Sequence, residues 1–307
     1  MTMVGSGVRC RACGSGEAGR IRDVPERMFQ TGDVFPYAEC PRCGSWSLMQ
    51  VPADLDRHYP AAYPAFSART PAPAQAWREW WLDLDAGAPA RLVAALVPDR
   101  NRRILDVGAG SGRLLHDLAQ AGYRRLHGVD PHLPETAARE TPFALRRGTI
   151  ADCPGGWDVI MYHHVLEHVP APDEELLRAA ERLAPGGRLI VRVPLADSWA
   201  RRRYDTCWLQ WDAPRHLWLP TRAAIRLLAA RAGLALIREI DDSRGNQAWA
   251  SRLYQRGRTP SRDLDVFPRR RQFMTMLPLL AAGRCWARVL NLLRRGDQAA
   301  FVLEKPL

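Results

Sequence analysis

Residues 104–115, ILDVGAGSGRLL, constrain this chain more than any other stretch. Ile104, Leu105 and Val107 form the apolar run of a strand covered on both faces, as parallel strands in layered α/β proteins are. Asp106 interrupts that run, and an unpaired carboxylate there is costly, so a partner is expected for it. Gly108, Gly110 and Gly112 follow at alternate positions, separated by Ala109 and Ser111. Glycine tolerates a sharp turn and lets a ligand approach backbone that carries no Cβ. Ser111 reads as the start of a helix over residues 112–121, which Gly122 stops.

Downstream, strand and helix patterns alternate. RLHGVD at 125–130 is a strand ending on Asp130, followed by Pro131. Residues 143–147 form a third strand, followed by Gly148, Thr149 and Ile150. WDVIMYHHVLEHV at 157–169 is a fourth strand running into a turn, and an amphipathic helix follows over 173–183. Ala184-Pro185-Gly186-Gly187 turns that helix into a strand over 188–194. Thr221 and Gly233 bracket a helix over 222–232, a strand follows over 234–240, and the last strand spans 299–304. The pattern predicts an α/β fold, a doubly wound and mostly parallel seven-stranded sheet. Its ligand crevice should lie at the carboxyl ends of the strands.

The N-terminal residues follow another logic. Cys10 and Cys13 form one C-x-x-C pair, Cys40 and Cys43 a second, and each pair is followed by glycine. Four thiolates complete a tetrahedral zinc site, so residues 1–50 read as a small zinc ribbon with a structural Zn²⁺. A hairpin is expected between the pairs. Cys153, Cys207 and Cys285 are isolated and read as apolar thiols.

Residues 51–97 read as a linker and a helical flap. The linker carries Tyr59, Tyr63 and Phe66, which either pack on the next domain or cover the ligand. Residues 98–307 form the sheet domain, with insertions at 195–220 and 242–296. The first is dense in Trp and Arg, and Trp208, Trp211 and Trp218 either stack on an acceptor ring or pack as a lid. The second ends in a basic amphipathic helix over 278–295 that docks on the core or on a membrane surface or partner.

The net charge of +11 suits anionic small molecules or nucleic acid, but the arginines are scattered rather than clustered. No stretch is apolar and long enough to span a bilayer, and no secretory core opens the chain, so the cytoplasm is the expected location.

The acidic-x-G-x-G-x-G pattern at 106–112 resembles motif I of the class I S-adenosylmethionine-dependent methyltransferases. The rival nicotinamide or flavin pattern, G-x-G-x-x-G, needs glycine or alanine at 113, where this chain has Arg113. The runs V-L-E-H-V at 165–169 and L-x-P-G-G-x-L-x-V-x-x-P at 183–194 are similar to the same family, and the resemblance covers residues 100–241. It implies a Rossmann-like methyltransferase fold whose cofactor, S-adenosylmethionine, is placed by Asp106, Gly108, Ala109, Gly110 and Gly112. It implies that Asp130, with Pro131 beside it, holds the ribose hydroxyls, and that Thr149 and Ile150 lie against the adenine. The acidic partner of the adenine amino group corresponds to Thr149 or Asp152. Glu167 and His168 brace the loop after the fourth strand, and His163 faces the cofactor pocket.

Pro214-Arg215-His216-Leu217 resembles a segment of deoxysugar methyltransferases with an N-terminal zinc module, where Glu-His-Leu carries a basic histidine. Here Arg215 replaces the glutamate. His216 is therefore a base or a structural hydrogen-bonding group, and His163 is the other candidate base. The zinc-protease match H-x-x-E-H at 164–168 is set aside, because it needs a helix and a further ligand.

The implied activity is methyl transfer to the oxygen or carbon of a small molecule, a sugar or a natural-product intermediate. An RNA methyltransferase using the zinc module to bind RNA is the first alternative. A non-catalytic zinc-ribbon binding protein is the second. The oligomeric state is not legible.

Overall fold

The computed structural model describes residues 9–60, 88–133, 141–259 and 270–307. Ile21–Pro25 (β1) and Val34–Glu39 (β2) pair antiparallel as the expected hairpin, and Trp46–Leu48 (β3) continues the sheet. The inward residues Val24, Phe35, Tyr37, Trp46 and Leu48 are buried. Tyr63 and Phe66, and with them residues 61–87 of the expected linker and flap, lie outside the described residues.

A helix, Ala88–Leu96 (α1), leads into Arg103–Val107 (β4). Arg113–Gln120 (α2), Arg125–Asp130 (β5), Ala144–Arg147 (β6) and Trp157–His163 (β7) follow. Next come Pro172–Arg182 (α3), Leu183–Pro194 (β8) and Trp199–Tyr204 (α4). Trp218–Leu219 (β9), Arg222–Arg231 (α5) and Ala235–Asp241 (β10) come after them. Asn246–Gln255 (α6), Arg270–Leu292 (α7) and Gln298–Glu304 (β11) complete the order. The large sheet has seven strands in the order β10-β11-β8-β7-β4-β5-β6. β8, β7, β4, β5 and β6 run parallel, and β11 lies antiparallel between β8 and β10. This is the α/β fold that the alternating pattern predicts.

Two local readings need correction. Ser111 does not cap α2; Gly112 precedes it at φ 77°, because the turn passes through a left-handed residue there. The C-terminal helix begins at Arg270 rather than at 278, and Pro278 lies inside it with its side chain exposed. A proline costs one helix hydrogen bond, and a 23-residue helix retains most of the others.

β9 belongs to the other sheet. It pairs antiparallel with β3, Trp46 facing Leu219 and Ser47 facing Trp218, so the segment after β8 supplies the fourth strand of the N-terminal sheet. One apolar core runs from Tyr37, Trp46 and Leu48 through Trp211 and Trp218 to Ile160, Leu189 and Phe301. The opposite face of the large sheet packs on α1 and α2 through Val93, Ile104, Leu115 and Leu118.

Candidate active site

The strand order reverses at β4, with β5 on one flank and β7 on the other, and a crevice opens there at the carboxyl ends. The amides of Gly108 and Ala109 both donate to the Val129 carbonyl, at 2.8 and 3.1 Å, which ties the glycine turn to β5. Gly108 has φ 72°, and a Cβ there would overlap the Val165 methyls. A Cβ on Gly112 would come within 2.8 Å of the Phe143 ring. Both positions therefore demand glycine.

Asp130 ends β5 facing that turn. Its Oδ2 accepts from the Gly110 amide at 2.9 Å and its Oδ1 from the His132 amide at 2.8 Å. Asp106 is buried, and its Oδ1 has no hydrogen-bond partner. No partner for that oxygen is present among the described residues. Burial, reinforced by the nearby Asp130 carboxylate, pushes the Asp106 carboxyl up to about 8. An orphaned buried acid next to a glycine turn suits a ligand that brings positive charge and hydrogen-bond donors.

Beside this turn, the Pro131 carbonyl accepts from Arg147 Nε at 2.9 Å. Ile150 is buried. Asp152 turns back onto Thr149, accepting from its amide at 2.8 Å and its hydroxyl at 2.9 Å, and these bonds lower the Asp152 carboxyl. Thr149 and Asp152 thus act as one unit.

His163 lies at the end of β7, its Nε2 3.3 Å from Arg192 Nη1. Burial and the Arg192 charge hold its imidazole well below the ordinary histidine value. Arg192, from β8, also reaches His164 Nε2 at 2.8 Å and pairs with Asp242. The other nitrogen of His164 meets Glu167 Oε1 at 3.1 Å. With both ring nitrogens engaged, His164 is not available for the H-x-x-E-H metal arrangement. No strong local signal marked Arg192; its role emerges only when β8 is placed beside β7.

His216 sits in the seam between the two sheets and is 5% exposed. Its Nδ1 lies 2.8 Å from the Gln210 carbonyl, and its Nε2 lies 3.9 Å from both Glu167 Oε1 and Asp212 Oδ2. The His168 ring packs edge-on at 4.7 Å. Arg215 beside it is wholly buried and donates to Asp212, Glu26 and the His58 carbonyl. His216 and His163 are therefore in different settings, one flanked by carboxylates and one by a guanidinium. Tyr59 crosses between the two sides of the crevice. Its ring stacks on His132, next to Asp130, and its hydroxyl lies 3.1 Å from His168 Nδ1. Tyr59 thus ties the linker to the sheet domain.

Trp208, Trp211 and Trp218 are 1%, 2% and 0% exposed, so they pack as core and line no acceptor surface. The Trp211 ring meets Tyr37 and Trp46 edge-on, and Trp218 Nε1 donates to the Leu166 carbonyl. Sequence density of tryptophan did not separate core indoles from surface ones.

Cys10, Cys13, Cys40 and Cys43 converge, with Sγ–Sγ separations of 3.5 Å for Cys10–Cys43 and 3.4 Å for Cys13–Cys40. Backbone amides of Ala12 and Cys13 point at the Cys10 sulfur, and those of Arg42 and Cys43 at the Cys40 sulfur. Such amides stabilise thiolates, so this cluster could hold a metal. The Thr221 hydroxyl donates to the Cys43 carbonyl at 2.6 Å, which fastens the second knuckle to the start of α5.

A family model described as a methyltransferase domain matches residues 77–239. The chain is similar to a tRNA U34 carboxymethyltransferase of Azotobacter vinelandii, 31% identical over 159 residues, covering 46% of this chain and 48% of the relative. A trans-aconitate 2-methyltransferase of Deinococcus radiodurans is 32% identical over 125 residues, covering 39% and 48%. The chain thus spans about half the length of the curated relatives it matches. Among solved structures, a magnesium protoporphyrin IX methyltransferase of Synechocystis is similar at a TM-score of 0.47 and 12% identity, covering 82% of this chain and 95% of that one.

Proposed function

This chain belongs to the methyltransferase-domain family, and on that premise we propose that it methylates a small molecule, a sugar or natural-product intermediate, at oxygen or carbon. It is an S-adenosylmethionine-dependent methyltransferase, and the cofactor supplies an electrophilic sulfonium methyl when bound. The observation that carries the site assignment is Asp130 held against the Gly110 amide, beside the buried, unpartnered Asp106. Asp130 offers a carboxylate to paired ribose hydroxyls. Asp106, Gly108, Ala109, Gly110 and Gly112 form the floor beneath the donor. Pro131, Thr149 and Ile150 form the wall for its base. The chain's contribution to rate is then mainly alignment of acceptor and methyl group.

Of the two histidines, His216 has the geometry of a base. Its Nδ1 is set 2.8 Å from the Gln210 carbonyl, which leaves Nε2 as the nitrogen that can take a proton. His163 beside Arg192 resists a proton, so we assign it to the pocket wall. His216→Asn should lower turnover about 10²-fold or more while leaving cofactor affinity in place, and His163→Asn should raise KM with a smaller loss in kcat. Equal losses in both variants would refute this division of roles.

We assign zinc to Cys10, Cys13, Cys40 and Cys43, because an all-thiolate set leaves no open position for chemistry and suits a structural ion. A reducing compartment such as the cytoplasm keeps such thiols available. No helix among the described residues is long and apolar enough to cross a membrane.

Methylation of RNA is the second reading, favoured by the similarity to tRNA-modifying relatives and by the net charge of +11. Against it, Trp208, Trp211 and Trp218 are core, and Arg192, Arg215 and Arg222 are spent on carboxylates. Incubation with labelled methyl donor, in parallel with a metabolite extract and with bulk tRNA, separates the two. Label in low-mass products supports our reading; label confined to RNA overturns it.

A further inference from the structure

A cleft of about 320 Å³ opens between α4, α6 and α7. Trp199, Tyr204, Trp249 and Trp286 wall it, with Arg203 and Arg252 at its margin. Among the described residues no carboxylate lines it. Trp199 packs edge-on against both Tyr204 and Trp286, at 5.9 and 5.6 Å between ring centres, which fixes the indole faces. Trp286 nevertheless remains 43% exposed. The contrast with the rest of the molecule is sharp. Trp208, Trp211 and Trp218 are buried, and Arg192, Arg215 and Arg222 face carboxylates, whereas Arg203 and Arg252 have no ion pair among the described residues.

The cleft also lies on the ligand edge of the sheet. Trp199 follows the carboxyl end of β8, and Gly245 follows the carboxyl end of β10. β10 runs parallel to β8, because each is antiparallel to the β11 between them. Gly245 and Gly283 let α6 and α7 approach closely: a Cβ on Gly245 would come within 2.7 Å of the Arg284 backbone nitrogen. The helices that frame the cleft are therefore held against one another.

We propose that this cleft binds a planar ring carrying an anionic group, and that it anchors the non-reacting part of the acceptor. Indole faces supply stacking area, and two guanidiniums without an ion pair among the described residues, Arg203 lying over the Tyr204 ring, supply recognition of phosphate or carboxylate. Its volume admits a single ring system with its anion. The anchoring role rests on the methyl-transfer reading; the binding itself does not.

The test is tryptophan-fluorescence and calorimetric titration of the full chain with UMP, uridine, ribose 5-phosphate and an oligouridylate. Titrations run with S-adenosylhomocysteine at saturation, so that the donor crevice is filled. UMP should bind at least tenfold more tightly than uridine or ribose 5-phosphate. Arg203→Gln with Arg252→Gln, and separately Trp249→Ala, should each weaken UMP at least tenfold while leaving S-adenosylhomocysteine affinity unchanged. The double arginine variant changes surface residues and keeps the fold testable should Trp249→Ala destabilise it. No UMP binding to the wild type, or UMP binding that ignores these substitutions, overturns the proposal. Oligouridylate binding a hundredfold tighter than UMP also overturns it, assigning the surface to an RNA strand. A wild type that binds UMP but not S-adenosylhomocysteine refutes the donor reading and leaves the cleft standing.

Discussion

At the glycine turn Asp106 is buried with one oxygen unpartnered, and Asp130 takes two backbone amides. In the seam beside the cysteine module, Arg215 is equally buried but donates to Asp212, Glu26 and a carbonyl, and Thr221 ties α5 to Cys43. Desolvated charge is expensive in both places. Around Arg215 the seam satisfies its buried charges with protein groups, which is the mark of structure. The crevice leaves one for a ligand to satisfy, which is the mark of a site. Glu167 Oε2, on the carboxylate beside His216, is likewise buried and unpartnered, so the donor crevice and the candidate base share an incompleteness that the Arg215 network lacks.

The largest expected effect tests the seam. Arg215→Ala leaves Glu26 and Asp212 buried without their cation, and breaking such a pair costs about 3–5 kcal/mol. Urea denaturation should show that loss, and a change under 1 kcal/mol would mean the network is solvated. The crevice should behave oppositely. The Asp106 carboxyl is raised from 3.8 to about 8 in the fold, so the native state holds a proton that the unfolded chain releases. Stability then falls as pH rises from about 4 to about 8, by at most about 1.4 kcal/mol per pH unit. Asp106→Asn should flatten that slope in thermal melts between pH 5 and 8. An unchanged slope would show that Asp106 is already satisfied.

The smallest effect concerns the cap. The Thr221 side chain accepts from the Ala224 amide as well as donating to Cys43. Thr221→Ala should cost about 1–2 kcal/mol and loosen the module, read as faster exchange of the Gly44 amide. A loss confined to α5 would uncouple the two sheets.

Sequence legibility follows the same divide. β4, the glycine turn, Asp130 and the four cysteines are local patterns whose spacing carries the geometry, and the structure brings each set together. The seam is built from residues far apart, such as Glu26 with Arg215 and Trp46 with Leu219, and no local period encodes such pairs. Trp208, Trp211 and Trp218 appeared as suited to stacking as any exposed indole, because composition does not reveal burial. Trp249 and Trp286 became a cleft only when α6 and α7 met at Gly245 and Gly283. His216 was legible as a candidate, but its carboxylate neighbours Glu167 and Asp212 were not.

The donor crevice itself is tested most directly by calorimetric titration of S-adenosylhomocysteine into the wild type and Asp130→Ala. The account predicts one site per chain in the wild type and at least a hundredfold weaker binding in the variant. Equal affinity in both proteins, or no binding to the wild type, would contradict it.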